Sequence, residues 1–472
     1  MIQFDLVSPL LDFPQTSPEL IANWYPENVG NKKWILRTTP GLKLLGMMQG
    51  TGGVRGLLQV LSGGDEFLFG IRGSSFQKWD PVANAWVFLG TIGSATGNVA
   101  MDYNGPSAGN YQVGIADASG GWGYDPSLTP AFKAIPSFPG GAATMTYYGL
   151  RFYSVAKNTG VAWCSAKDDV FTWSGLAFAE AETRPDPLVG IANVGQFVIL
   201  MGSQSYEAWI NQGLLDFPLQ RIQAGTPIGC SAPASMATYA GSLYWIGGSQ
   251  EGHGIIYQTF GYSYRRISDH RIEEMLSAMT DFSDAIGFCY QEDGHVFYEL
   301  SFPTGNKTLV YDTTTGLWAQ RFTRNSSTDI ESYHPAVFHA FYKGKNYVGD
   351  FRDGSVYEYS RSYFMDNGNP IIRRKVFPNY PDDSYQLTPM GPFFLAMEMG
   401  NINQGDQTPK AMLSWSENRG KTYGIQHYKD LATTGDYSHR LVWHGQGATF
   451  GRAYKLELTG NCDFIIRAAG LL

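Results

Sequence analysis

Short runs in which apolar and polar residues alternate, each closed by glycine or by Asp/Asn, recur along most of the chain. Val54–Val60, Glu66–Ile71, Ser75–Trp79 and Trp86–Leu89 read as four strands, with turns at Ser62-Gly63-Gly64-Asp65, Arg72-Gly73 and Asp80–Ala85. Ala285–Tyr290, His295–Ser301, Lys307–Tyr311 and Trp318–Phe322 repeat the pattern, with turns at Glu292-Asp293-Gly294, Pro303–Asn306 and Asp312–Gly316. Glycine and Asp/Asn supply the positive φ that such turns need, and the alternation gives each strand one buried face. An aromatic residue closing a strand marks each unit: Trp79, Tyr124, Trp163, Trp209, Tyr257, Tyr311 and Tyr357, spaced by 45, 39, 46, 48, 54 and 46 residues. Three units match closely, Lys78-Trp79-Asp80-Pro81, Gly123-Tyr124-Asp125-Pro126 and Val310-Tyr311-Asp312-Thr313, and each is followed by a second aromatic, Trp86, Phe132 or Trp318. Four strands per ~45-residue unit, seven times over, predict an all-β chain folded as a β-propeller. Six blades is the alternative count, because the spacing is uneven; a plain sandwich is the blander architecture.

The flanks depart from this period. Residues 1–50 read as an irregular arm, 51–375 as the propeller and 376–472 as a β-rich, sandwich-like domain that could lend a strand to close the ring. Strands are expected there near Phe393–Met399, Ala411–Ser416, Arg440–His444 and Tyr454–Leu458. Helix is scarce. Ser17-Pro18-Glu19 has the form of a capped helix start, and Asp269 could cap a short helix over His270–Met279. Pro26 and Pro40 fix φ and remove a donor, so the arm should be an extended strap. Trp24 and Tyr25 are large anchors that suit either a partner interface or a staple onto the chain's own propeller. On this reading, deleting residues 1–50 leaves the propeller folded or modestly destabilised.

Composition narrows the function classes. Charged residues are only 16% of 472, aromatics 14%, and glycine contributes 56 residues. That profile excludes a disordered chain and argues against a helical bundle. The formal net charge is −8, which offers nothing to a nucleic-acid backbone. The basic spots Tyr264-Arg265-Arg266 and Arg373-Arg374-Lys375 are expected to be solvated surface. Cys164, Cys230, Cys289 and Cys462 lie far apart and form no CxxC or Cys/His cluster, so buried thiols are expected. The first residues lack a positively charged leader, so no secretory signal is expected. The long uncharged stretch Ile222–Gln250 contains Pro227 and Pro233, so it is not expected to be a membrane helix.

Candidate chemistry is sparse. Ser416-Glu417-Asn418-Arg419-Gly420-Lys421-Thr422-Tyr423 resembles an Asp-box with Asn418 in place of the Asp. The motif is a turn device in which Ser416 and Asn418 bond to backbone, Gly420 takes the left-handed position and Tyr423 packs beneath. A sialidase would need several such boxes and an arginine triad. Asp168-Asp169, Asp382-Asp383 and Glu273-Glu274 are adjacent pairs, and neighbours in a strand face opposite ways. His334 and His339 have no metal-ligand spacing, and Gly50–Gly56 lacks a phosphate-loop lysine. No catalytic residue, cofactor or metal ligand is therefore assigned, and the chain is not expected to be an enzyme.

The most specific text is Asn23-Trp24-Tyr25-Pro26-Glu27 followed by Thr39-Pro40-Gly41-Leu42. Together with Gly202-Ser203-Gln204-Ser205 and Glu207, Gly225–Ala232, Trp245-Ile246-Gly247, Arg265-Arg266-Ile267-Ser268 and Tyr311–Trp318, it resembles the packaged-DNA stabilization proteins. These are the tail hubs of short-tailed, lambdoid enteric bacteriophages. The resemblance covers nearly the whole chain. It implies a structural virion protein, assembled in the host cytoplasm as a hexameric ring below the portal and its head-to-tail adaptor. Such a hub would close the head after packaging, hold tailspike trimers and the tail needle, and let DNA pass without specific binding. Trp24, Tyr25, Pro26, Glu27, Pro40 and Gly41 become candidate partner-binding residues. The competing function is a glycan-binding or carbohydrate-active propeller; the twelve tryptophans permit sugar stacking without showing it, and blade core is their default use.

Overall fold

The structure, a computed structural model, describes residues 2–7, 20–30, 33–105, 110–139, 144–156, 158–181, 183–222, 225–249, 252–325, 327–381, 386–402, 409–431 and 439–472. Seven antiparallel sheets follow one another around a ring, with strands drawn from 54–91, 99–134, 146–180, 188–221, 229–266, 286–321 and 336–360. The seven marker aromatics all fall on the third strand of their blades, as Trp79 does on Ser75–Asp80 and Tyr357 on Ser355–Ser360. The count is seven, not six.

Packing follows from the two-residue period of a strand that is covered on both faces. In the fourth blade, Phe197–Gly202 is a continuous apolar run. Val198 and Leu200 join the core shared with the third blade, while Ile199 and Met201 join the core shared with the fifth. One such core fills each junction around the ring, the last joining Ala340, Tyr342 and Tyr347 to Val54, Leu68 and Trp79. All four cysteines are buried in these cores and the sandwich. Burial pushes the Cys164 thiol up to about 11 and that of Cys230 up to about 12. The helix His270–Ser277 forms where expected, with the Asp269 side chain accepting from the Ile272 amide at 2.8 Å.

The arm is built into both domains, which corrects the view of it as lying outside the repeat. It carries five strands, β1 (Ile2–Phe4), β2 (Leu20–Ala22), β3 (Trp24–Asn28), β4 (Trp34–Thr38) and β5 (Gly41–Met47). The seventh blade has only three strands of its own, and β5 is the fourth, paired antiparallel with Ser355–Ser360. Ring closure therefore comes from the N-terminal side and not from the C-terminal domain. The step from β5 into the first blade is the same outer-to-inner step that joins every other pair of blades. The helix start at Ser17–Glu19 lies outside the described residues, and Leu20–Ala22 is strand.

The C-terminal domain is a sandwich of two sheets. One holds β3, β4, Cys462–Leu471, Phe393–Ile402 and His439–Trp443, with β1 also paired to Cys462–Leu471. The other is continuous with the sixth blade: Leu317–Arg321 pairs with β2, β2 with Arg373–Val376, and then follow Ala453–Thr459, Lys410–Ser416 and His427–Asp430. An expected domain boundary at 375 thus falls inside a strand of the sandwich. The run Arg373–Lys375, expected at the surface, is instead the seam. Arg373 and Lys375 are fully buried, and Arg374 donates to Glu457 at 2.7 Å and to Glu331 at 2.5 Å. Alternating apolar positions define a strand, and here long cationic side chains occupy those positions against carboxylates and rings. Local pattern does not reveal that substitution.

If β5 is a true blade strand, its inward side chain should matter and its outward one should not. Leu42 is buried in the core between the sixth and seventh blades. Leu42→Ala should cost about 2–5 kcal/mol, read as a drop in denaturant midpoint, whereas Lys43→Ala on the exposed face should stay within about 0.5 kcal/mol. Equal, small effects would place β5 outside the blade.

Candidate functional site

The two family-like segments meet at one buried residue. Asn23 is 2% exposed and sits at φ 57°, a left-handed conformation that Asn tolerates better than most residues. Its amide donates to the Gln320 carbonyl at 2.9 Å. Its Nδ2 donates to the carbonyls of Phe322 (2.9 Å) and Ile372 (2.8 Å), and its Oδ1 accepts from the Phe322 amide at 3.2 Å. Its own carbonyl accepts from the Thr39 hydroxyl at 3.3 Å. Its side chain therefore ties the arm to the segment after the sixth blade and to the strand leading into the sandwich, while its main-chain carbonyl holds Thr39. Donating to two carbonyls and accepting from an amide at once needs donor and acceptor on one planar group, which a side-chain amide supplies.

The residues after it turn inward. Trp24 is 1% exposed in the sandwich core, and Tyr25 lies in the core between the sixth and seventh blades. Tyr25 packs edge-on against His295 at 5.1 Å, with the Arg361 guanidinium 5.5 Å from its ring. Burial pushes its phenol up to about 12. His295 Nδ1 lies 2.8 Å from Asp312, a bond that raises the imidazole above its ordinary value. Pro26 is buried, while Glu27 is half-buried and accepts from Arg37 at 2.9 Å. Gly41 is required by close approach, since a Cβ there would lie 2.5 Å from the Tyr363 carbonyl oxygen. As free surface anchors for a partner, Trp24 and Tyr25 are therefore excluded; they staple this chain to itself. Arg361 and Thr38 extend the staple, Arg361 to Asp293 and to the Thr38 carbonyl (3.2 Å), and Thr38 to Asp463 (2.5 Å).

Beneath the strap lies a charge network that sequence reasoning missed. Glu299 is fully buried and accepts from Arg321 at 2.9 Å and from the Tyr359 hydroxyl at 3.1 Å, with His334 Nδ1 at 2.9 Å. Burial opposes its ionisation, but the Arg321 and His334 partners outweigh that and hold the carboxyl below its ordinary value. Arg321 also donates to the Tyr290 hydroxyl at 2.5 Å. These groups come from separate strands, so nothing adjacent in the chain signals them. His334 belongs to this buried network.

The other candidate places are a turn and an axial cavity. In the Asp-box-like turn, the Ser416 hydroxyl accepts from the Gly420 amide at 2.9 Å, and Asn418 Oδ1 accepts from the Thr422 amide at 2.9 Å. Gly420 has φ 80°, and Tyr423 is half-buried with Lys455 Nζ 4.4 Å from its ring. The axial cavity, of about 570 Å³, is lined by inner-strand residues of all seven blades, among them Leu57, Met101, Met145, Ile191, Met236, Phe288 and Phe338. Asp102 there accepts from the amides of Tyr147 (2.6 Å) and Tyr103 (2.8 Å), yet burial pushes its carboxyl up to about 6. His339 lies within 2.9 Å of Asn346, and burial pushes it down to about 4. Among the described residues no group of three His, Cys, Asp or Glu side chains could hold a metal. No helix among them is long and apolar enough to cross a membrane.

Residues 11–363 match the family described as bacteriophage P22 Gp10, beta-propeller, and residues 381–470 match bacteriophage P22 Gp10, beta-sandwich. The chain belongs to the P22 Gp10 family. It is a phage structural protein, and the two Gp10 domains coincide with the ring and the sandwich described above. No relative is found among curated proteins. Solved structures with similar folds include the extracellular domain of a putative hybrid two-component system, BT4673, from B. thetaiotaomicron, at 10% identity and TM-score 0.45. The alignment covers 78% of this chain and 44% of that one, so the chain spans under half the length of that structure. The N-terminal domain of Nup159 aligns at 10% identity and TM-score 0.41, over 72% of this chain and 98% of that one.

Two measurements check the local readings. Asn418→Ala should cost about 1 kcal/mol through loss of side-chain-to-backbone bonds, seen as a lower melting temperature with the ring intact; an unchanged temperature would show that the turn does not need them. The cavity predicts opposed pH effects. His339 is depressed from 6.5 to about 4 on folding, so its contribution is present above 6.5 and lost as pH falls toward 4. Asp102 is raised from 3.8 to about 6, so its contribution is present below 3.8 and lost as pH rises through 6. His339→Phe should therefore raise stability at pH 4.5 relative to pH 7 when compared with the wild type, measured by denaturant midpoint, and an unchanged pH dependence would place His339 outside the titration.

Proposed function

We propose that this chain is the hub of a short phage tail: six copies form a ring below the portal and adaptor, close the filled head and carry tailspikes and needle. The observation that supports this most is the match to both Gp10 domains over nearly the whole chain. The physical character of the molecule agrees with a scaffold. Buried polar side chains such as Glu299, Arg374 and Asn23 hold strands together, and its blade cores are filled by side chains. Partners would dock on the outer surfaces, because the strap residues face inward. A net charge of −8 disfavours a grip on phosphate, which suits a channel that DNA must traverse. Genome retention on this reading is mechanical: a ring seated on the adaptor and plugged by the needle.

Particles assembled without this protein should package DNA and then leak it, and adding the purified protein should restore retention. The isolated protein should show little affinity for duplex DNA at low salt, where electrostatic binding is strongest. Full genome retention in its absence, or tight salt-sensitive binding by the free protein, would overturn the proposal.

A further inference from the structure

The axial cavity holds a charge that nothing on its walls answers. Asp102 stands on the inner strand of the second blade, Val99–Tyr103, and is the one acidic side chain among the described residues that line the cavity. Its carboxylate accepts from the Tyr147 and Tyr103 amides and, at 3.3 Å, from the Thr146 hydroxyl. These bonds leave part of its acceptor capacity unused. No Lys or Arg lines the cavity among the described residues, and none helps to hold this carboxylate ionised. A carboxylate withdrawn from bulk water without a cation is costly, and a cation that reaches it relieves the cost.

The rest of the wall narrows what that cation can be. His339 lines the cavity from the inner strand of the seventh blade, Ala336–Tyr342. Asn346 Nδ2 donates to the Gln291 carbonyl and to Glu292, both at 3.0 Å, so Asn346 Oδ1 is the acceptor 2.9 Å from His339 Nε2. The imidazole proton therefore sits on Nε2, and Nδ1 keeps a lone pair. Around these polar points the wall is thioether, aliphatic and aromatic, with Met101, Met145, Ile191, Met236, Phe288 and Phe338. Methionine adapts to the shape of a ligand, and aromatic ring faces attract cations. A metal ion finds too few ligands here, since among the described residues no three His, Cys, Asp or Glu side chains gather. An aliphatic chain that ends in an ammonium group fits both parts of the wall, with N–H donors for the carboxylate and methylenes for the apolar surface. The volume of about 570 Å³ is that of a small-molecule site.

We propose that the axial cavity of the ring binds an aliphatic primary amine, with Asp102 receiving the ammonium group and the methionine and phenylalanine side chains enclosing the carbon chain. In a diamine, His339 Nδ1 offers the second ammonium group an acceptor. The same chemistry is presented by a free amine or by a lysine side chain of a partner. Bound at the axis, the amine touches inner strands of several blades at once and stabilises the ring. This inference concerns the cavity itself and stands independently of the hub reading.

Calorimetric titration of the full chain with putrescine, at neutral pH and physiological salt, tests it. Binding should be saturable, and the neutral butanediol of the same length should bind at least tenfold more weakly. Methionine methyl NMR should show Met101, Met145 and Met236 shifting with putrescine, while Met399, buried in the sandwich core, stays in place. That pattern separates the cavity from diffuse attraction to an acidic surface. Asp102→Asn keeps an oxygen acceptor for the Tyr147 amide and should weaken binding at least tenfold. Putrescine binding tighter than N-acetyl-lysine methylamide identifies a free amine as the ligand, and the reverse order a lysine side chain. No saturation up to about 10 mM, unmoved cavity methionines, equal affinity for the diol, or a folded Asp102→Asn chain that binds as the wild type does would each overturn the proposal. If the variant does not fold, the wild-type comparison of amine and diol decides the matter.

Discussion

A ring of blades made from a linear chain must be closed by residues distant in sequence, and here that demand organises everything else. After six complete blades the chain supplies only three strands of the seventh before leaving for the sandwich. The missing edge is filled by β5, whose continuation is the inner strand of the first blade. The segment before β5 must then run across the sixth blade and the sandwich, and it becomes part of both. Asn23 sits where these demands converge, bonded to groups up to 349 residues away.

The cost of that joint is visible in its chemistry. Apolar packing serves the interfaces between blades, where each strand offers one face to each neighbour. At the junction of blade, strap and sandwich three surfaces meet at once, and the contacts become ionic: Glu299 with Arg321 and His334, and Arg374 with Glu331 and Glu457. Buried pairs of this kind contribute little net stability relative to apolar packing, but leaving one partner unpaired is costly. They therefore favour one register of the joint over others. For a structural protein of the P22 Gp10 family, a defined geometry between propeller and sandwich is the property that matters.

What the sequence disclosed follows the same division. The first and sixth blades were legible strand by strand because their turns are local, as Ser62-Gly63-Gly64-Asp65 and Glu292-Asp293-Gly294 show. The sandwich strands near Phe393, Ala411, Arg440 and Tyr454 were legible as strands, but partners such as Cys462–Leu471 for Phe393–Ile402 were not. The fourth strand of the seventh blade was not, since nothing in Gly41–Met47 names a partner in Ser355–Ser360. Arg373–Lys375 was misjudged as surface because charge is a poor guide where carboxylates arrive from other strands. Trp24 and Tyr25 showed their importance by type and left their direction open; only the fold reveals that they point inward. Glu299 carried no signal at all.

The claim on which the account rests is that the N-terminal strand, in this register, closes the ring. Lys43 and Glu358 are directly opposed across β5 and the third strand of the seventh blade. A Lys43→Cys/Glu358→Cys chain, purified folded and oxidised, should form an intramolecular disulfide between positions 43 and 358, detected by peptide mapping and absent when oxidation is carried out in denaturant. Failure of the folded protein to form that bond, with both thiols still free, would contradict the closure described here.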